Sequence, residues 1–479
     1  MPKSHAARPL QLAAALLSLV AVPAAGRAQS TPIASPKLQV ERYTLPNGLT
    51  VLLSEDKSTP IVAVDLWYHV GSKNEKPGRT GFAHLFEHMM FEGSEHVPDG
   101  EHLKLIEGAG GDINGSTTND RTNYYDVVPS SELETALWLE SDRMGYLLPV
   151  LTPEKLNTQR DVVKNERRQR VDNQPFGSQA DIIPAAIYPA TNPYSWSVIG
   201  SMADLSAASV DDVKDFFRTY YAPNNATLAI VGDFDNAKAK AWVAKYFAGI
   251  PSGPAITRPV IDPVTLSANK RLVLEDTKAR LPQIVFVWPT VGGDTPDELA
   301  LEGLASVLTR DRTSRLAKLL VYDRQLATSV NARSGSDENA GEFYIRVSPR
   351  PDASLTEIER LVDSTVASMA AAPPSEREVQ RLKNYTVVGA ISGLQSVLDK
   401  AEELLDGQTF YGNPTRLVDV DLPAYRALTP ADVHRVAAKY LAAPHVVLSM
   451  VPAGKLDLIA NPQLSYTNVT SGAAAPASK

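Results

Sequence analysis

"SVDDVKDFFRTYYAPNNATLAIVGD" (residues 209–233) and "TPADVHRVAAKYLAAPHVVLSMVPA" (residues 429–453) align without a gap at an offset of 220 residues. Each copy opens on a hydroxyl residue, Ser209 or Thr429, with an aspartate three positions on, Asp212 or Asp432. That is the signature of a capped helix start. Val213 and Val433, Tyr220 and Tyr440, Leu228 and Leu448, and Val231 and Val451 fall in register. Both copies read as helix, short link and buried strand. A unit recurring at so long a period marks an internal duplication. The identities are few, and two unrelated helix–strand units would share some of them.

Working outward, other segments pair in the same way. "KRLVLEDTKARLPQIVFVWP" resembles the opening strands of the first half, and "LATSVNARSGSDENAGEFYIRVSP" mirrors "GGDINGSTTNDRTNYYDVVP". In the first half, "LQVERYTL" and "LTVLLSED" alternate apolar and polar residues around Pro46-Asn47-Gly48, a hairpin signal. "IVAVDLWYHV" follows as a mostly buried strand, and helical periods appear near 80–91, 99–108, 131–146 and 153–171. The last begins Thr152-Pro153-Glu154, an N-cap with proline at the first helical position. Between the halves, "IPSGPAITRPVIDPVTL" carries Pro251, Pro254, Pro259 and Pro263 and reads as a linker. The expected fold is α+β: two homologous domains, each a mostly antiparallel sheet with helices packed on it. The domains are expected at 38–250 and 268–455, with the linker at 251–267 and a loosely ordered tail at 456–479.

The first residues are of another kind. "MPKSHAARPLQLAAALLSLVAVPAAGRAQS" places Lys3 and Arg8 ahead of an apolar run from about Leu10 to Ala25, then small residues. This is a secretory signal peptide over 1–28, cleaved between Ala28 and Gln29. It directs the chain to the periplasm or outside the cell. A mitochondrial transit peptide is the alternative, because no acidic residue precedes Glu41. No later segment reads as a membrane span, so none is expected once the signal is removed. The chain of 479 residues has 43% hydrophobic and 21% charged residues and a formal net charge of -8. That acidic balance excludes a general nucleic-acid binder. The absence of cysteine rules out disulfides, thiol catalysis and thiolate-held zinc. Any metal must be held by His, Asp or Glu.

"GFAHLFEHMMFEGSE" (81–95) holds His84, Glu87 and His88 in the order H-x-x-E-H. On a helix, positions i and i+4 share a face with i+3 beside them, so both imidazoles can reach one ion. The neighbours Phe82, Leu85, Phe86, Met89 and Met90 make the surroundings apolar. A partly buried helix with two hydrogen-bonded histidines would carry the same letters, so the metal reading requires a third ligand. "NTQRDVVKNERRQRVDNQPFG" (157–177) offers Glu166 on the helix begun at Thr152. A lone Glu on so basic a helix also reads as a solvated ion pair.

Taken together, H-x-x-E-H, "GGDINGSTTNDRTNYYDVV" and "VVKNERRQR" resemble the pitrilysin/insulinase family of inverted-motif zinc peptidases. That family includes the mitochondrial processing peptidase and bacterial periplasmic members. The resemblance implies one Zn2+ per chain on His84, His88 and Glu166, with Glu87 as the catalytic base. It also implies that a peptide substrate is held as an added strand along Asn114, Gly115, Ser116 and Thr117. Asn114–Asn119 reads equally as an ordinary polar strand end.

Two departures from the family pattern matter. Many members place an acidic residue seven positions before the ligand Glu; here the slot holds Gln159, which can orient a neighbour but lacks a carboxylate's charge. Active relatives usually carry an Arg and a Tyr seven apart in the C-terminal domain; the corresponding residues are Val321 and Thr328. Shifting His84, Glu87 and His88 by 220 lands on Leu304, Val307 and Leu308, so the second domain is expected to hold no metal. The function these features imply is a zinc endopeptidase acting on peptides or unfolded polypeptides. It would be the metal-bearing subunit of a heteromer whose homologous partner supplies the Arg/Tyr pair. The alternative is a catalytically inactive structural or binding subunit of a peptidase complex.

Overall fold

The computed structural model describes residues 34–258 and 260–470. The expected signal peptide and the last nine positions of the expected tail lie outside the described residues. In the first half, β1 (Glu41–Thr44), β2 (Thr50–Glu55), β3 (Ile61–Tyr68), β4 (Asp112–Thr117), β5 (Thr122–Pro129) and β6 (Ala226–Gly232) form one sheet. Its order is β1-β2-β6-β3-β5-β4. Only β2 and β6 run parallel, and the other neighbours pair antiparallel. The hairpin read around Pro46-Asn47-Gly48 joins β1 to β2, with Gly48 at φ 92°, a left-handed backbone that glycine adopts freely.

The helices of this half are α1 (Phe82–Met89), α2 (Glu101–Gly108), α3 (Leu133–Tyr146), α4 (Pro153–Arg167), α5 (Gln179–Ile187), α6 (Met202–Ala207), α7 (Val210–Tyr220) and α8 (Asn236–Phe247). The four helical periods read near 80–91, 99–108, 131–146 and 153–171 correspond to α1 to α4, the last continuing into a π-helical turn at Arg168–Asp172. Strand alternation decides what each sheet face meets. Val51, Leu53, Val62, Val64, Leu66, Leu228 and Ile230 point into a core shared with α1, α3, α7 and α8.

The second half repeats the plan. β7 (Lys270–Asp276), β8 (Gln283–Thr290), β9 (Ala327–Ser336), β10 (Gly341–Pro349), β11 (Val446–Pro452) and β12 (Thr467–Val469) are ordered β12-β7-β11-β8-β10-β9. The helices are α9 (Glu298–Thr309), α10 (Leu355–Ala371), α11 (Glu376–Gly393), α12 (Val397–Tyr411), α13 (Leu422–Ala427) and α14 (Pro430–Val436). The quoted repeat is α7–β6 in one half and α14–β11 in the other. Ser209 and Thr429 each accept from the backbone N–H of the aspartate three residues on, whose carboxylate accepts in return. β6 and β11 occupy the same place, between a parallel strand and an antiparallel one. The fold is thus two α+β domains of one design. Between Phe247 and Lys270 no helix or strand forms among the described residues.

The two sheets differ at one edge. β1 reaches its place by a hairpin, whereas β12 comes from the end of the chain and runs parallel to β7. The segment after Lys455, read from the sequence as loosely ordered, therefore carries structure over 456–470. It forms a helical turn at Leu456–Leu458, then buries Ile459 against Val273 and Val451. The reason is packing: β7 would otherwise leave an unpaired edge and an uncovered apolar row.

The halves also exchange a helix. Leu52, Ala63, Trp67, Ala229 and Val231, on the back of the first sheet, are covered by Val397, Ala401, Leu404 and Leu405 of α12. Conversely Leu272, Leu274, Val285, Val287, Leu448 and Met450 of the second sheet are covered by Ile182, Ile183, Ala186 and Ile187 of α5. Lys400 reinforces the first contact through Asp56, at 2.5 Å. No helix among the described residues is long and apolar enough to cross a membrane.

Because each sheet is sealed by a helix from the other half, Leu404→Ala and Ile183→Ala should each cost about 2–5 kcal/mol. Urea unfolding should show one cooperative transition shifted as a whole; two separated transitions in either variant would contradict the exchange.

Candidate metal centre

α1 places its apolar residues Phe82, Leu85, Phe86 and Met89 in the core, which turns His84, Glu87 and His88 toward the remaining face. His84 and His88 stand with ring centroids 4.8 Å apart. α4 begins where Thr152 accepts a hydrogen bond from the Lys155 N–H, with Pro153 in its first turn. It buries Leu156, Gln159, Val163 and Arg167 and presents Glu166 to α1. Glu166 Oε2 lies 3.0 Å from His88 Nε2 and 3.5 Å from His84 Nε2. The donor atoms of His84, His88 and Glu166 all fall within 4.8 Å of one another. The far oxygen of Glu166 is held by Arg170, at 2.7 Å, one helical turn on.

Glu87 is turned to the neighbouring sheet edge. Its Oε2 accepts a 2.6 Å hydrogen bond from Thr117 Oγ1 on β4. Strand and helix approach so closely that a Cβ on Gly115 would stand 3.2 Å from Glu87 Cγ. β4 ends its sheet, so Asn114, Gly115, Ser116 and Thr117 lie on a strand with one unpaired side. Ser116 is steadied from behind, where its hydroxyl donates to Asn123 and its carbonyl accepts from Arg121.

The donor set suits a divalent cation. Burial, then the neighbouring His88, push His84 down to about 4, so its imidazole is neutral near pH 7, the form in which histidine ligates. The hydrogen bond from His88 holds Glu166 below the usual carboxylate range, and burial raises Glu87. Two imidazole nitrogens and one carboxylate oxygen match the donors of a catalytic zinc site, which keeps a fourth position open. Gln159 is buried two turns before Glu166 on α4.

A second group of the same residue types, His102, Asp126 and Glu140, is also close enough to hold an ion and is wholly buried. It differs in having a cation already at its centre. Arg143 Nη2 contacts His102 Nε2 at 2.9 Å and Glu140 Oε1 at 2.5 Å. Its guanidinium also lies over the rings of Tyr124 and Phe91, 4.7 and 5.1 Å from their centroids. Burial lifts Glu140 well above the usual range. This group is a charge network of the core, joining α2, β5 and α3.

In the second half, Leu304, Val307 and Leu308 lie buried on α9 among apolar neighbours, in keeping with their place opposite the H-x-x-E-H residues in the repeat. Val321 sits in a π-helical turn, and Thr328 lies exposed on β9. Sequence reasoning passed over Arg170, although its i+4 spacing from Glu166 is a readable helix pair. It also passed over Arg143, whose contact with His102 spans 41 residues of chain.

Comparison with known proteins gives a consistent picture. Residues 50–193 match the family model described as insulinase (peptidase family M16), and residues 207–386 match the model described as peptidase M16 inactive domain. The chain is similar to the zinc protease PqqE of Helicobacter pylori, 28% identical over 364 residues, covering 75% of this chain and 81% of that one. It is similar also to a probable mitochondrial-processing peptidase subunit beta of Arabidopsis thaliana, 24% identical over 436 residues, covering 88% and 79%. Among solved structures, a protease from Helicobacter pylori superposes with a TM-score of 0.81 at 26% identity, covering 87% of this chain and all of that one.

Arg143→Leu should leave the buried Glu140 carboxyl and His102 without their guanidinium partner and cost about 3–5 kcal/mol in urea unfolding. Its zinc content should equal that of the unsubstituted chain; zinc that persists in full after His84→Ala and His88→Ala would place the ion in the deeper cluster.

Proposed function

The chain belongs to the insulinase (M16) family of peptidases, and from that premise we propose that it is a zinc-dependent endopeptidase hydrolysing peptides or unfolded polypeptides. The observation that carries the proposal is the convergence of His84, His88 and Glu166 within 4.8 Å, with Glu87 beside them on α1 and bonded to Thr117 of the edge strand β4. His84 Nε2, His88 Nε2 and Glu166 Oε2 would hold one Zn2+. The ion, when bound, supplies Lewis acidity toward the scissile carbonyl and lowers the pKa of a water from near 16 toward about 7.

The remaining work falls to side chains of this protein. Glu87 takes the proton of the attacking water on Oε1 and delivers it to the leaving amine, while Thr117 holds Oε2 and fixes the carboxylate's direction. Arg170 keeps the second oxygen of Glu166 from rotating toward the ion. The open side of β4 accepts an extended peptide through main-chain hydrogen bonds along Asn114–Thr117, which reads backbone more than side chains. Placing the same strand against both Glu87 and the substrate ties the base to the bond it serves. Gln159, buried on α4 two turns before Glu166, adds no charge beside the donors.

The chain is proposed to act in a heteromer. Val321 and Thr328 supply neither a cation nor a phenol, so a homologous subunit would contribute the Arg/Tyr pair. The second reading, an inactive structural or binding subunit, draws its support from the same positions. The proposed organisation is a signal peptide over 1–28, a metal-binding domain over 38–250, a linker over 251–267 and a metal-free domain over 268–455. The mature chain would then work in the periplasm or be secreted; a mitochondrial location is the alternative.

Glu87→Gln should retain one zinc per chain while lowering cleavage of a quenched peptide by about 10²- to 10⁴-fold. Chelation should abolish cleavage and added Zn2+ restore it. Adding a homologous subunit with an Arg/Tyr pair should raise the rate. Cleavage that survives both substitution and chelation would remove the zinc mechanism, and zinc retained without turnover beside every homologous subunit would establish the second reading.

A further inference from the structure

Resting on the reading of His84, His88 and Glu166 as zinc ligands, we propose that Glu75 and Arg167 are positioning residues that set the distance between α1 and α4. Through it they set the spacing of the two imidazoles from the Glu166 carboxylate.

α1 starts without a side-chain cap of its own. It follows Gly81, at φ 88°, and the capping role passes to a residue six positions earlier. Glu75 Oε2 accepts from the Gly81 N–H at 2.9 Å, and Oε1 accepts from the Ala83 N–H at 2.8 Å. A buried carboxyl group here satisfies amides that the helix itself cannot. Two bonds from one rigid planar group fix the direction of the helix axis as well as its start. His84 is the next residue after Ala83, so its placement follows directly.

Arg167 does the equivalent for α4. It is the residue after Glu166 and is 6% exposed. Its Nη1 donates to the carbonyl of Gly200 at 2.7 Å, and its Nη2 donates to Asp181 Oδ2 at 2.5 Å. Gly200 in turn crosses Gly81 in direct backbone contact. A Cβ on Gly200, whose φ is 72°, would stand 2.4 Å from Gly81 Cα and 2.5 Å from Gly81 N. Thr80 fastens the same crossing, since its N–H and hydroxyl both donate to Asp204 and its Oγ1 accepts from the Ser201 N–H.

The contacts therefore run from Glu75 to the first turn of α1, across Gly81 and Gly200, and through Arg167 to α4. At each end the attachment is one residue from a metal donor. Both helices are thereby referred to one crossing, with Glu166 Oε2 at 3.0 and 3.5 Å from the two imidazoles.

The test is Zn2+ affinity of the full chain, measured by competition with a chromophoric chelator, alongside the visible absorption of the Co2+-loaded protein. Glu75→Gln and Arg167→Lys keep size and, for lysine, charge, while removing the two-pronged contact. Each should weaken Zn2+ binding about 10- to 100-fold and shift the Co2+ bands, with the circular dichroism of the metal-free chain unchanged. Gly200→Ala, which forces the crossing apart, should do the same and serves if Glu75→Gln does not fold. A merely structural role would lower stability while leaving affinity within twofold and the Co2+ spectrum unaltered, and that result would overturn the proposal. A wild-type chain that takes up no Zn2+ removes the ligand reading and this inference with it, whereas normal wild-type uptake with indifferent variants removes this inference alone.

Discussion

Three donor atoms from two helices are crowded within 4.8 Å, and neither helix can impose that closeness alone. α1 fixes only the relation of His84 to His88, by the geometry of one turn. The third donor arrives from α4, seventy-eight residues later in the chain. The distance between the helices thus depends on a backbone crossing of two glycines in left-handed conformations, Gly81 and Gly200. A side chain on Gly200 would collide with the backbone of Gly81. On the proposed reading of His84, His88 and Glu166 as ligands, the geometry of the site follows from that contact as well as from the ligands themselves.

The sheet contributes the other half of the site. β4 lies at the end of its sheet and meets α1 through Gly115 and Thr117. The same strand thus touches Glu87 on one face and offers unpaired main-chain groups along its edge. At its far end the β4–β5 turn meets the β9–β10 turn of the second half. There Asn119 donates to Asp337, the Glu338 N–H donates to Asp120, and Lys73 bridges Asp120 and Glu338. The second domain carries no donor set of its own at Leu304, Val307 and Leu308, yet it anchors the strand nearest Glu87. It also seals the back of the first sheet with α12. The second half is therefore a structural support of the half that brings His84, His88 and Glu166 together.

Two clusters of His, Asp and Glu show why residue type alone does not identify a metal site. His102, Asp126 and Glu140 are more deeply buried than His84, His88 and Glu166. What separates them is Arg143, which already stands among the deeper group. A second cation there would meet like charge in a medium of low dielectric. The shallower group has its arginine, Arg170, on the outer oxygen of Glu166 and leaves the inner one directed at the imidazoles.

The local pattern of letters was enough to read the hairpin at Pro46-Asn47-Gly48, the capped starts at Thr152, Ser209 and Thr429, the duplicated helix–strand unit and the shared face of His84 and His88. These follow from turn chemistry, capping and the period of a helix, which act over a few residues. Glu166 was told apart from a solvated ion pair only through resemblance, since a glutamate on a basic helix has no local mark of ligation. The exchange of α5 and α12 and the ordered strand at Thr467–Val469 had no local mark either. Nor did the contact of Arg143 with His102. An amphipathic pattern says that a face is buried but not against what, and a buried charge announces nothing about its partner. Those assignments were made when distant segments packed, because only then did each apolar face and each buried charge acquire the neighbour that stabilises it.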